Sequence, residues 1–185
     1  MQTPSEGNLP LEGPHWAFAL DLYQRPGVTE ACLLLQDTAG ADVTLLLFVL
    51  FVAEKHRAVL APADLASLDA AIAPWREEVI RPLRSLRRCM KSGPAPAPGP
   101  ATEPLRDRIK TAEIHAEKIE LAVLVRWLAL HPQKTDTAPI DIAAVLDRLA
   151  AFFAARADRP SGSRSPEVQN ALDAIARAMS TPARA

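Results

Sequence analysis

The chain reads as an all-α protein, a single helical bundle built around one central apolar helix. Three features point that way. Alanine and leucine dominate while β-branched residues are sparse, which favours helix over sheet. Apolar residues recur at steps of three and four along most of the chain, the period of a helix face. Within residues 40–56, GADVTLLLFVLFVAEKH, the run from Leu45 to Ala53 is apolar without a break. A surface helix keeps a polar face. This one has none over its middle, so it belongs at the centre of a bundle, buried on every side. It is too short to span a bilayer, which takes roughly 18 apolar residues or more.

The elements follow in order. Residues 1–13 mix Pro, Gly, Ser and Glu with few large apolar groups and read as a disordered tail. Pro14 suits the first turn of a helix, where its missing N–H costs nothing. Trp16, Ala19, Leu20 and Tyr23 then recur at helical spacing, with Phe18 and Leu22 widening the stripe, until Arg25-Pro26-Gly27 ends it. A second helix over 28–37 turns Cys32, Leu33 and Leu35 inward. The apolar helix follows a short turn at 38–40, with Lys55 and Arg57 near its end, where cations suit the helix dipole. After Pro62, Leu65, Leu68 and Ile72 mark a short helix. Pro74 opens the next, whose stripe is Trp75, Val79, Leu83, Leu86 and Met90. A kink is expected at Pro82, which removes a backbone hydrogen bond and crowds the preceding turn.

Residues 92–102, SGPAPAPGPAT, lack any core-forming side chain and read as a flexible spacer, extended, solvated and partly polyproline II. Thr102 suits the N-cap of the longest helix, 103–130. Its seam of Leu105, Ile109, Ala112, Ala116, Ile119, Val123, Trp127 and Leu130 alternates steps of three and four. That is a heptad pattern, fit for one long antiparallel neighbour or for a second copy in a homodimer. The spacer makes a long antiparallel hairpin of the helices it joins. Residues 14–130 therefore form the core domain, and 131–185 a two-helix extension that packs back or serves a partner. Its first helix carries Ile142, Val145, Leu146, Leu149, Phe152 and Phe153. Its second follows the loop at 159–165 and the start signature Ser165-Pro166-Glu167, with Val168, Leu172, Ile175 and Met179 inward.

Composition bounds the function. A chain of 185 residues makes one domain with a proper core. A formal net charge of −1 supplies no global field to steer DNA or an acidic membrane. Two cysteines are too few for a disulfide framework and fit a reducing compartment. The first residues lack the basic and apolar regions of a secretory signal, so the expected location is cytoplasmic.

The order and spacing of many small motifs carry a family resemblance. They include Trp16, Phe18, Tyr23, Pro26-Gly27-Val28, Cys32-Leu33 and Leu35-Gln36-Asp37. Gly40, Asp42-Val43 and Leu45-Leu46-Leu47-Phe48 open the apolar helix; Trp75, Pro82-Leu83-Arg84, Arg87-Arg88 and Lys91 come next. Leu105-Arg106, Ile109-Lys110, Ala112-Glu113, Ala116-Glu117 and Glu120-Leu121 complete the set. Over about two thirds of its length the chain resembles a bacterial, largely proteobacterial family of small all-helical proteins, catalogued as a domain of unknown function. The resemblance implies one helical domain in a bacterial cytoplasm and carries no activity. Thr44 stands where the family pattern has asparagine, and Phe51 where it has tryptophan. If that asparagine belongs to a polar site, the site is altered here.

The chemistry with most to say lies in two charge stripes. Arg81, Arg84, Arg88 and Lys91 share one helix face, and Glu113, Glu117 and Glu120 share a face beside the seam of the long helix. In an antiparallel hairpin the stripes can face each other. They then act either as salt bridges that set register or as an anion site gripping phosphate or carboxylate. Gln36, Asp37 and Asp42 flank the turn into the apolar helix. They serve either as caps, with Asp42 the N-cap, or as walls of a pocket shared with the arginines. Nucleic acid is disfavoured: the basic helix also carries Glu77 and Glu78, only Trp75 offers a stacking surface, and no DNA- or RNA-binding motif occurs.

No metal site is expected, because His115 lies two residues from Glu113 and from Glu117 and points elsewhere on a helix. His15, His56 and His131 sit near helix ends and are expected in solvent. Cys89, beside Arg87, Arg88 and Lys91, is the better candidate nucleophile but has no evident base; Cys32 reads as a core residue. No nucleotide-binding or hydrolase motif is present, and no cofactor is implied. The leading expectation is a non-catalytic interaction or adaptor protein that binds another protein. The rival is a binder or enzyme for a phosphate-bearing ligand held by Arg81, Arg84 and Arg88.

Overall fold

The apolar run becomes α3, Val43–Lys55, and every residue from Leu45 through Ala53 is buried. Removing side chains of this size from water contributes about 1.5–3 kcal/mol each, so this helix anchors the bundle. A computed structural model describes residues 9–157 and 165–181, and no strand occurs among them. The tail expectation over 1–8 and most of the loop at 159–165 lie outside the described residues. α1, Pro14–Tyr23, and α2, Val28–Ala39, pack against α3. α6, Glu103–Leu130, and α7, Ile142–Arg156, pack against it as well, α6 also touching α1 and α7 touching α2. α4, Pro62–Trp75, crosses α6 and α7, and α8, Pro166–Ser180, lies along α2 and α7. No helix among the described residues is long and apolar enough to cross a membrane.

The last two helices pack back into the common core. Val145, Leu146, Leu149 and Phe153 of α7 and Leu172 and Ile175 of α8 belong to the same buried cluster as α3. Side-chain caps start both, Asp141 accepting from the Ala144 amide and Ser165 from that of Val168. Arginines then fasten them. Arg25 donates to the carbonyls of Ala178 at 2.5 Å and Thr181 at 2.9 Å, and Arg148 donates to that of Leu60 at 2.8 Å.

Several expectations need correction. Pro74 does not start a helix: it lies inside α4, which runs on through a π-helical segment, Arg76–Ile80, into α5, Arg81–Cys89. The disturbance expected at Pro82 takes the form of this π segment. The Arg81 N–H donates to the carbonyl of Arg76, five residues back, and the wider turn makes room for the proline ring in the next turn. The inserted residue also rotates the faces. Arg76 and Ile80 are buried, Met90 stays inside, and Leu86, expected inward, is 51% exposed.

The spacer is compact rather than extended, with turns closed by Ala97 N–H on the Pro94 carbonyl and Thr102 N–H on that of Gly99. α5 and α6 pack on each other, whereas eleven extended residues would span roughly 35 Å. Thr102 holds the N-cap position of α6, but its hydroxyl donates to the Gly99 carbonyl instead of capping.

The α6 seam is rotated as well. Its buried face carries Glu113, Ala116, Glu120, Leu124 and Trp127, while Leu105, Ala112 and Leu130 are exposed. Charge pairing with α5 is what allows Glu113 to displace Ala112 from the interior. Finally, His15 is buried, with Nε2 2.9 Å from the Pro10 carbonyl oxygen and its ring edge-on to Phe51. Burial holds its pKa below the ordinary histidine value.

Candidate functional site

The polar end of the bundle is assembled around the start of α3. Gly40 closes α2 with a φ of 65°, a conformation that only glycine adopts without strain, and the chain turns directly into α3. Asp42 is the N-cap, its Oδ1 accepting from the Leu45 amide at 3.0 Å. Its Oδ2 accepts from Arg76 Nη1 at 3.0 Å, and the same Nη1 reaches Asp69 at 2.7 Å. Arg156 of α7 donates to Asp69 at 2.6 Å and to the Gly40 carbonyl at 2.6 Å. Both Asp42 and Arg76 are 7% exposed. Burial opposes the Arg76 charge, but Asp42 and Asp69 more than offset it and hold the guanidinium above its ordinary pKa.

On the hairpin face the two charge stripes meet at Arg84. Its Nε donates to Glu113 at 2.8 Å and its Nη2 to Glu117. Arg87, absent from the expected stripe, makes a two-pronged contact with both oxygens of Glu113. Burial works against an ionised Glu113, yet the bonds from Arg87 and Arg84 prevail and hold its pKa below the usual carboxylate value. At Glu117 burial wins and the pKa is raised. The rest of the expected stripe disperses. Arg81 pairs with Glu77 at 2.5 Å within its own helix run, Arg88 with Asp37 of α2 at 2.9 Å, and Lys91 lies exposed beyond the end of α5. The face read as a possible anion site thus carries arginines already bound to this chain's own carboxylates.

Glu120 is different. It is 1% exposed, and its Oε1 has no hydrogen-bond partner among the described residues. Burial, helped by the charge on Asp42, pushes its carboxyl up to about 9, while a hydrogen bond from Thr44 works the other way. The group lines a polar pocket of about 180 Å³ together with Asp42, Thr44, Arg76, Arg84 and Arg88.

Beside that pocket lies a larger apolar cleft of about 430 Å³. Its walls are Trp16, Leu20 and Tyr23 of α1, Leu33 of α2, Leu47 of α3, and Ile114 and Leu121 of α6. Arg84, Arg87, Lys110, Glu113 and Glu117 supply its charged lining. Gln36, Val43, Thr44 and Arg84 line both cavities. The α1 stripe read as core is therefore split. His15, Ala19 and Leu22 are buried, while Trp16, Leu20 and Tyr23 face the cleft.

Sequence reasoning missed Arg76, Arg87 and Arg156 as site residues. Arg76 and Arg87 fall on the polar side of a uniform helix, and only the π segment turns Arg76 inward; Arg156 lies in the extension, outside the segment read as the core domain. Of the remaining candidates, Cys89 is exposed, with Sγ 3.3 Å from the Gly93 carbonyl oxygen, and Cys32 is buried with its thiol pushed up to about 12. His131 stacks on Trp127 at 4.2 Å. Among the described residues no group of three or more His, Cys, Asp or Glu side chains is placed to hold a metal ion.

No curated protein and no solved structure matches the chain. A family model does, over residues 14–124, the segment that supplies α1 to α5 and most of α6, and hence both cavities apart from Arg156. On that match the chain belongs to the family described as a protein of unknown function (DUF2390).

Proposed function

We propose that this is a non-catalytic binding protein that holds a small molecule with an apolar body in the cleft between α1, α2, α3 and α6. One observation carries the reading: a concave, mainly apolar space of about 430 Å³ whose polar groups converge on one side. Ligand sites for small molecules are built in this way and at this size, with a few fixed polar groups setting orientation. Carboxyls with displaced pKa values, Glu113 and Glu117, stand at the same wall and add support. The setting we infer is bacterial and cytoplasmic, supported by the family resemblance and by the unpaired Cys32 and Cys89.

A second reading, docking of an apolar segment of another protein, draws on Leu20, Leu33 and Ile114, which are exposed around the mouth of the cleft. A homodimer through the 105–130 seam draws on Leu105 and Leu130 alone, which stand exposed near its two ends.

Native mass spectrometry of the purified full chain, with and without added 1-naphthaleneacetamide, tests the cleft. A one-to-one adduct that Leu47→Trp abolishes, with helical content unchanged, supports it. A protein-sized adduct favours docking, and failure of the amide to bind at millimolar concentration overturns the small-molecule reading.

A further inference from the structure

The polar pocket is too small to hold an apolar body, at about 180 Å³, but ample for one carboxylate or phosphate group. Its position matters, because Gln36, Val43, Thr44 and Arg84 are walls of both cavities, so the pocket adjoins the cleft. Arg81, Arg84 and Arg88 line it together with Arg76 and Arg156, so five guanidinium groups stand against the carboxylates of Asp37 and Asp42, the second of which caps the start of α3. The pairs Arg81–Glu77 and Arg88–Asp37 join half-exposed side chains, and pairs of that kind are weak enough to yield to a better-placed anion.

Glu120 supplies the independent sign of a ligand. Its Oε1 is buried and unpartnered among the described residues. Protonated at that oxygen, the carboxyl is a donor lacking an acceptor. An ionised carboxylate there would repel an anion. A neutral one donates to it, and burial beside Asp42 keeps this group neutral.

We propose that this pocket is an oxyanion site, and that the ligand of the cleft is an amphiphile bearing a carboxylate or phosphate group that Arg81, Arg84, Arg88 and Glu120 receive. The inference rests on the cleft reading and adds the chemical class of the ligand.

Calorimetric titration of the full chain at neutral pH with 1-naphthaleneacetate and with its carboxamide, which shares its shape, separates the two. The acid is expected to bind about tenfold more tightly than the amide, as charge-assisted bonds to guanidinium groups require. In the double variant Arg81→Ala, Arg88→Ala that preference is expected to fall below about threefold while amide binding is kept, since neither residue lines the cleft. Circular dichroism checks that the variant keeps its helical content. Failure of the amide to bind at millimolar concentration overturns the cleft reading and this inference together. Equal binding of both overturns the inference alone, and so does an acid preference that survives the double substitution. Titration with 1-naphthyl phosphate then tells a phosphate head from a carboxylate by which binds more tightly.

Discussion

Two buried ionisable groups, Glu120 and Arg76, set the behaviour of the polar end. Glu120 is an acid whose folded pKa, about 9, lies far above the ordinary glutamate value. The folded state therefore holds a proton that the unfolded chain releases, and stability is full below the unfolded pKa and declines as pH rises towards the folded one. Glutamine has no such proton. Relative to Glu120→Gln, the wild type is expected to lose on the order of 1 kcal/mol per pH unit between about pH 5 and pH 8. Urea unfolding across that range reads it, and a gap that stays constant with pH would mean that Glu120 ionises normally. Arg76 contrasts with Arg88. Arg76→Ala leaves the buried Asp42 with no cation and the partly buried Asp69 with Arg156 alone, and is expected to cost about 3–5 kcal/mol. Arg88→Ala breaks a half-exposed pair and is expected to cost less than about 1 kcal/mol. Equal losses in urea would contradict the burial argument.

Helices were the legible level. An unbroken apolar run demanded a central helix, and α3 is one; Asp42 and Ser165 announced the starts that they cap. What periodicity could not register is the phase slip at Arg76–Ile80. A regular stripe drawn through Trp75, Val79, Leu83 and Leu86 assumes a constant number of residues per turn, and one π turn invalidates it downstream. The error then propagates to the partner helix, because the arginines that α5 turns towards α6 let Glu113 occupy a position that a hydrophobic pattern assigns to Ala112. Gly40 is a plainer junction between elements. A Cβ there would meet nothing within 4 Å, so Gly40→Ala is expected to cost about 1 kcal/mol through its positive φ alone, measured as a lower unfolding midpoint. A larger loss would point to disturbance of the Arg156 bond to its carbonyl.

At the scale of the molecule, the cleft exists because α1 and α2 meet α3 and α6 without filling the space between them. No local signal in any of the four helices encodes that gap. The family match ends at residue 124, yet the core does not: α8 lies along α2, and α7 contributes Leu146, Leu149 and Phe153 to the cluster around α3. These buried side chains, with Leu172 and Ile175, represent on the order of 10 kcal/mol of apolar burial before chain entropy is set against it, comparable with the whole stability of a domain. A chain ended at residue 130 would also leave the buried face of α2, Val28, Ala31, Cys32 and Leu35, without its cover. It would further lack Arg156, leaving Asp69 dependent on Arg76 alone. The shortened chain is therefore expected to lose the single cooperative transition of the full protein in urea followed by tryptophan fluorescence, and to bind a hydrophobic dye in native buffer. A fragment that unfolded cooperatively at the full-length midpoint would show that α7 and α8 are an appendage, and that the matched segment folds as a self-sufficient unit.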